Sequence, residues 1–299
     1  MLKLQKVPDQ SGTLNFFGAT TRILTRKSGS NVRWYHVRWV YPYLDFMSYF
    51  LEEKKENIME DRSLKVIKNI SKDNLVVKDN FLIETKYSLS IIEQKIVLML
   101  ISQLNSMKEQ ELDYYEFSIS KLLNYLSLGQ KNYTFLQKML DDLYERRVVL
   151  TSEDGRRTFK SRWISSFDYN GKEGYVRFGL DSQLKPFLLN ISQNFTKYPL
   201  SRVLSLKNKH SIRLYEILKK VEKFKKIEIS IIDLKEKLEI QDKYKDLRSF
   251  KRDFLEKIVK EINEETDMNI SYGLVKESRK FTSILFRIEK KEMEVINSE

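Results

Sequence analysis

A chain of 299 residues, 41% hydrophobic and 32% charged, is globular, longer than one core usually supports, and apolar enough to fill two. Lys and Arg number 54 against 42 Asp and Glu, a net charge of +12 that selects a polyanionic partner, nucleic acid ahead of a membrane surface. Cysteine is absent, which excludes disulfides, thiol catalysis and cysteine metal sites and suits a reducing cytoplasm.

In chain order, residues 1–58 are irregular and contain the only alanine, Ala19, and two of the three tryptophans. Their greasiest stretch, "WYHVRWVYPYLDFMSYFL", includes Arg38, Pro42 and Asp45 and cannot span a bilayer, and the N-terminus lacks a signal-peptide pattern. The segment reads as an upstream in-frame translation, an accessory segment or an unstructured arm, with the alternative that its aromatics pack on the first domain. From Met59 the pattern becomes regular. "SIIEQKIVLMLISQLN" (Ser90 to Asn105) predicts an apolar helix, "YYEFSIS" a short strand, and "SKLLNYLSL" a short helix ending at Gly129. "NYTFLQKMLDDLYERR" predicts a third helix whose Phe135, Leu136, Met139, Leu140 and Leu143 recur at helical spacing. The residues after it alternate apolar and polar and break at Asp154-Gly155 and Asn170-Gly171, which are hairpin signals. Helix, strand, helix, turn, helix, hairpin is the order of a winged helix.

The same order returns after a joint expected at Leu188 to Pro199. "KHSIRLYEILKKVEKF" predicts a helix, "KIEISI" a strand, "IDLKEKLEI" a short helix, and "KYKDLRSFKRDFLEKIVKEIN" a third helix with Asp246 as N-cap. "NISYGLV" and "FTSILFRIEK" are strands joined by "KESRK". Between the copies, Leu122 aligns with Leu234 and Leu126 with Leu238. The expected fold is therefore α+β, mainly helical, with two tandem pseudo-symmetric winged-helix (helix-turn-helix) domains, each burying its own core: residues 59–190 and 191–299, after an extension of uncertain order at 1–58.

A third helix of this kind buries one face and presents the outer residues of its N-terminal turns to the major groove. Leu247, Phe250, Phe254, Leu255, Ile258, Val259 and Ile262 form the apolar face, while Lys245, Arg248, Ser249, Lys251 and Arg252 are side chains suited to bases or phosphates. Lys276, Arg279 and Lys280 at the hairpin tip would reach the backbone or the minor groove. No enzyme is legible. His36 and His210 lack partners at metal-ligand spacing and read as surface or satisfied histidines. No phosphate-binding loop occurs, and Asp141 and Asp142 belong to a solvated helical face. No catalytic residue, metal site or cofactor is expected.

"YKDLRSFKRDFLEKIVKEINEETDMNISYGLVKESRKFTSILFRIEK" resembles the C-terminal signature of the initiator replication proteins of iteron-type plasmids, in which a helix with F-K-R and a downstream E-I-N precedes a T-D-x-x-I-x-Y strand and a basic wing. "LIETKYSLSIIEQKIVLMLISQLN" is similar to that family's first helix and its lead-in, so the resemblance runs from about Ser63 to Lys290. It implies a bacterial, plasmid-borne initiator that binds iterons in double-stranded DNA as a monomer and recruits host replication initiator or helicase proteins. It also implies dimers, formed through the N-terminal domain, that bind an operator inverted repeat to repress the protein's own promoter. On this chain the second third-helix would contact bases and the first would mostly grip backbone, through Lys131, Asn132, Tyr133 and Lys138, with Arg156, Arg157 and Lys160 on its wing; Tyr133 is equally readable as a core residue. A dedicated winged-helix repressor is the alternative reading.

Overall fold

The computed structural model describes residues 63–109, 111–129, 132–151 and 156–291, together with two short paired strands, Arg22–Ile23 and Tyr35–His36. Contacts divide the chain into Met1–Glu60 and Asp61–Glu299, and the expectations for residues 1–58 otherwise lie outside the described residues.

The first half begins with strands β1 (Leu64–Ile67) and β2 (Leu75–Asp79) and a short helix α1 (Asn80–Glu84). Helix α2 (Ile91–Ile101) is apolar on nearly all sides and lies inside the domain, as such a helix must. Its start is fixed by a capping box: the Ser90 side chain accepts from the Glu93 amide, and the Glu93 carboxylate accepts from the Ser90 amide. Then come β3 (Tyr114–Ser118), α3 (Ile119–Tyr125), α4 (Tyr133–Glu145) and the hairpin β4 (Arg147–Thr151) and β5 (Thr158–Arg162). Strands β6 (Ile164–Asn170) and β7 (Tyr175–Leu180) complete a four-stranded sheet in the order β1-β3-β7-β6, in which only the β1 and β3 pair is parallel.

The second half repeats the plan. Helix α7 (Lys209–Val221), reached through α5 (Lys185–Leu188), β8 (Phe195–Pro199) and α6 (Ser201–Leu204), leads to β9 (Lys226–Ser230) and α8 (Ile231–Lys237). The third helix is continuous from 247 to 265: an α turn α9 (Leu247–Ser249), a wider π turn (Phe250–Leu255), and α10 (Glu256–Glu265). Strands β10 (Met268–Glu277) and β11 (Lys280–Lys290) form the wing, with β9 paired to β11 in a three-stranded sheet.

The duplication extends to the backbone of the turn. After α3 the Leu126 amide bonds to the Leu122 carbonyl and the Leu128 amide to Leu123, with Ser127 left-handed at φ 56°. After α8 the Leu238 amide bonds to Leu234 and the Ile240 amide to Lys235, with Glu239 at φ 53°. Both turns thus end their helix by the same carbonyl-capping arrangement. Leu122, Leu126, Leu234 and Leu238 are all buried, as their alignment requires.

The two halves do not have separate interiors. Buried side chains form one cluster from Ile70 to Ile288. The stretch expected as a joint supplies β8, which pairs with β2 residue by residue, and buries Leu188, Leu189, Ile191 and Tyr198. On α7, Glu216 is fully buried among partners from both sides: Lys78 of β2, the Tyr198 hydroxyl at 2.5 Å, the Tyr87 hydroxyl at 3.4 Å and the Arg213 guanidinium at 3.2 Å. Arg213 donates further to the carbonyls of Ile83 and Thr85, each at 2.8 Å, and to the Tyr87 hydroxyl at 2.7 Å. Nearer the surface, Glu84 pairs with Lys220 and with Lys237, and Lys86 with Glu236. These contacts fix α7 and α8 against the first half.

Candidate nucleic-acid interface

The third helix of the second half is anchored before it is charged. Asp246 caps it, accepting the Ser249 amide and the Ser249 hydroxyl, each at 2.8 Å. Those hydrogen bonds hold the Asp246 carboxyl below its ordinary range. Phe250, Phe254 and Leu255 are buried within the π turn, and such turns concentrate at functional positions. Phe250 and Phe254 stack at 5.6 Å, with Tyr244 and His210 at 5.3 and 5.2 Å from Phe254. Burial, helped by Lys209 and Lys243 nearby, lowers the His210 pKa to about 4, so the imidazole is neutral and serves as an aromatic wall.

Outside this wall Lys245, Arg248, Lys251 and Arg252 are exposed and Ser249 is half-buried. The Arg252 fork is engaged by its neighbour, donating from Nε and Nη2 to the two Asp253 oxygens at 2.7 Å each. Its opposite edge still carries N–H groups that a guanine can accept. The Arg248 side chain, one turn nearer the helix start, is exposed, and its backbone amide adds to the hydrogen bonds on the Asp246 carboxyl. The Ser249 hydroxyl is committed to the cap and retains only acceptor capacity for a base. At the wing, the Lys276 ammonium lies 4.7 Å from the Phe281 ring centre, and Arg279 and Lys280 are exposed beside Ser278, left-handed at φ 58°.

In the first half, Asn132 stands at the N-cap of α4 without a side-chain cap bond, and Lys138 is exposed on the helix. Arg156, Arg157 and Lys160 are exposed where the wing enters β5, and Lys131 lies outside the described residues. Tyr133 is 38% exposed, and its carbonyl accepts the Tyr169 hydroxyl at 3.5 Å. Phe135 corrects the sequence reading. Helical spacing grouped it with Leu136, Leu140 and Leu143, which are fully buried, whereas Phe135 is 42% exposed. The inward arc of α4 is narrower than the apolar pattern suggested. Sequence reasoning missed Thr134 and Phe135 as surface residues; aligning the caps Asn132 and Asp246 would have set Phe135 over the outward Ser249.

Among the described residues no helix is long and apolar enough to cross a membrane. Residues 75–219 match the family described as Initiator Replication protein, WH1, and residues 230–288 match Initiator Rep protein, WH2. A replication initiation protein of Escherichia coli is 26% identical over 227 residues, which cover 72% of this chain and 69% of that one. The PI protein of Escherichia coli is 31% identical over 142 residues, 42% of this chain and 46% of that one. Among solved structures, a Pi initiator protein in complex with iteron DNA shares the fold, with a TM-score of 0.65 at 21% identity over 75% of this chain and 100% of that one. The two family matches lie in order over the two helix-turn-helix units and together take up most of the chain, which therefore belongs to the initiator replication proteins.

Proposed function

We propose that this protein initiates plasmid DNA replication by binding repeated double-stranded origin sequences, iterons, and recruiting host initiator or helicase proteins to them. It does so in the bacterial cytoplasm, without catalysis and without a cofactor. A monomer occupies one iteron; dimers formed through residues 59–190 repress the promoter of the gene. In residues 191–299, Lys245, Arg248, Ser249, Lys251 and Arg252 face bases and nearby phosphates, and Lys276, Arg279 and Lys280 hold backbone. In the first half, Asn132, Tyr133, Lys138, Arg156, Arg157 and Lys160 supply the matching grip.

The observation that carries this reading is the duplication itself. One helix-turn-helix suits many regulators, but two built to one plan and joined by a shared core give a single chain two third-helices at a set spacing. That arrangement suits successive major-groove faces of one site, where the second contact benefits from the first. The likeness to a Pi initiator, whose solved structure holds iteron DNA, supports a repeat as that site. Footprinting of the DNA flanking the gene tests it. Protection of several direct repeats spaced by about two helical turns (~21 bp) is expected; protection of a lone inverted repeat over the promoter would replace this reading with that of a dedicated repressor.

A further inference from the structure

Matching the two third-helices by their caps gives the outward side chains of the first half a definite chemistry. Asn132 corresponds to Asp246, and the next inward residues, Leu136 and Leu140, correspond to the buried Phe250 and Phe254. In this register Thr134 stands where the second helix has Arg248, Phe135 where it has Ser249, and Lys138 where it has Arg252. Where the second helix presents two guanidinium groups and a hydroxyl, the first presents a methyl-bearing hydroxyl, an aromatic ring and one ammonium. Thr134 and Lys138 are exposed, and Phe135 is 42% exposed. The wing that follows α4 in the chain carries three more cations, Arg156, Arg157 and Lys160, all exposed.

We infer that Phe135, with the Thr134 methyl, reads thymine C5-methyl groups in the major groove, making the first half a sequence-specific reader and not only a clamp on the backbone. The inference rests on the initiator reading above. The physical warrant is that a phenyl ring cannot satisfy a phosphate or a base-edge donor, whereas the thymine methyl is the one apolar feature a base pair offers in that groove, and Phe and Thr side chains are suited to it. Lys138, one turn along, holds the adjacent phosphate, so the helix is kept in the groove by charge while the apolar pair selects the base. The first half then prefers A·T pairs at its contact positions, and the second, through Arg248 and Arg252, prefers G·C pairs at its own.

The test uses the full chain and the repeat that it protects in footprinting, with each thymine of the half-site distal to the second helix replaced singly by deoxyuridine. This change removes the methyl and keeps all base pairing. At one or two positions the replacement should weaken binding by about fourfold, the equivalent of one buried methylene. Phe135→Ser should weaken binding to the thymine duplex by a similar factor and abolish the difference between thymine and deoxyuridine there. Since Phe135 lies at the surface, the variant should melt with the parent, which circular dichroism checks. An undiminished thymine preference in Phe135→Ser overturns the inference while leaving the initiator reading intact. So does a variant altered only in self-association, measured by sedimentation. A chain that prefers no repeat over random duplex overturns both.

Discussion

Glu216 offers the sharpest perturbation of the structure. Its carboxylate is fully buried between two cations, Lys78 and Arg213, themselves 1% and 3% exposed. Burial opposes its ionisation, but the charges of Lys78 and Arg213 prevail and hold its pKa below the ordinary range. Glu216→Leu keeps the volume and removes the charge, leaving two buried cations and two tyrosine hydroxyls without their acceptor. Breaking a buried pair in this way costs about 3–5 kcal/mol. An upper bound for the lysine alone follows from discharging it: from an ordinary pKa of ~10.4 this costs about 4.6 kcal/mol at pH 7. At roughly 2–4 °C per kcal/mol for a domain of this size, the midpoint of thermal unfolding should fall by about 6–20 °C. Lys78→Met should cost less, because Glu216 keeps Arg213 and the Tyr198 hydroxyl. Glu236→Gln, at a pair exposed on both sides, should change stability by less than about 1 kcal/mol. Urea unfolding followed by circular dichroism measures all three. A Glu216→Leu protein within about 1 kcal/mol of the parent would refute the reasoning, as would a Lys78→Met protein less stable than Glu216→Leu.

Other outcomes rest on the same contacts. His210 titrates at about 4 in the folded protein against 6.5 for an ordinary histidine, so the unfolded chain takes up the proton first. Its contribution to stability is complete above pH 6.5 and is lost as pH falls from there toward 4; an imidazole NMR midpoint near 6.5 would contradict this. Arg248→Ala should weaken binding to the repeat by roughly 10- to 100-fold and relax the preference at one base position, with random duplex little affected. Lys276→Ala should instead weaken all sequences alike and reduce the slope of log affinity against log salt by about one unit, read by fluorescence anisotropy at several salt concentrations.

The repeated order of elements was legible in the sequence because each signal was local. Asp246 caps the last long helix, and Leu122 and Leu126 sit over Leu234 and Leu238 as the duplicated turn demands. What escaped was set by distant partners. Arg213 and Glu216 stand three apart on α7 and can pair locally, but nothing near them or Lys78 in the chain says that all three meet in the interior, since Lys and Glu at helical or strand spacing normally read as solvated. The pairing of β8 with β2, and with it the single core, is likewise a long-range choice that period and propensity do not encode. In the interface, residue type revealed cations but not their engagement: Asp253 follows Arg252 directly, yet adjacent residues on a regular helix do not face each other, and here the two lie within the π turn. Phe135 was misplaced for the reverse reason, since an apolar residue at the margin of a helical stripe can lie on either side of its edge.

The central claim is that one chain grips one repeat with both helix-turn-helix units. Hydroxyl-radical footprinting of the intact protein on a single repeat tests this directly. Two protected windows on one face of the duplex, about one helical turn (~10 bp) apart, are expected, and both should fade together in Arg248→Ala, because the second contact depends on the first. A single window of about one turn, with affinity unchanged by Lys138→Ala, would contradict the account and leave only the second helix as a DNA reader.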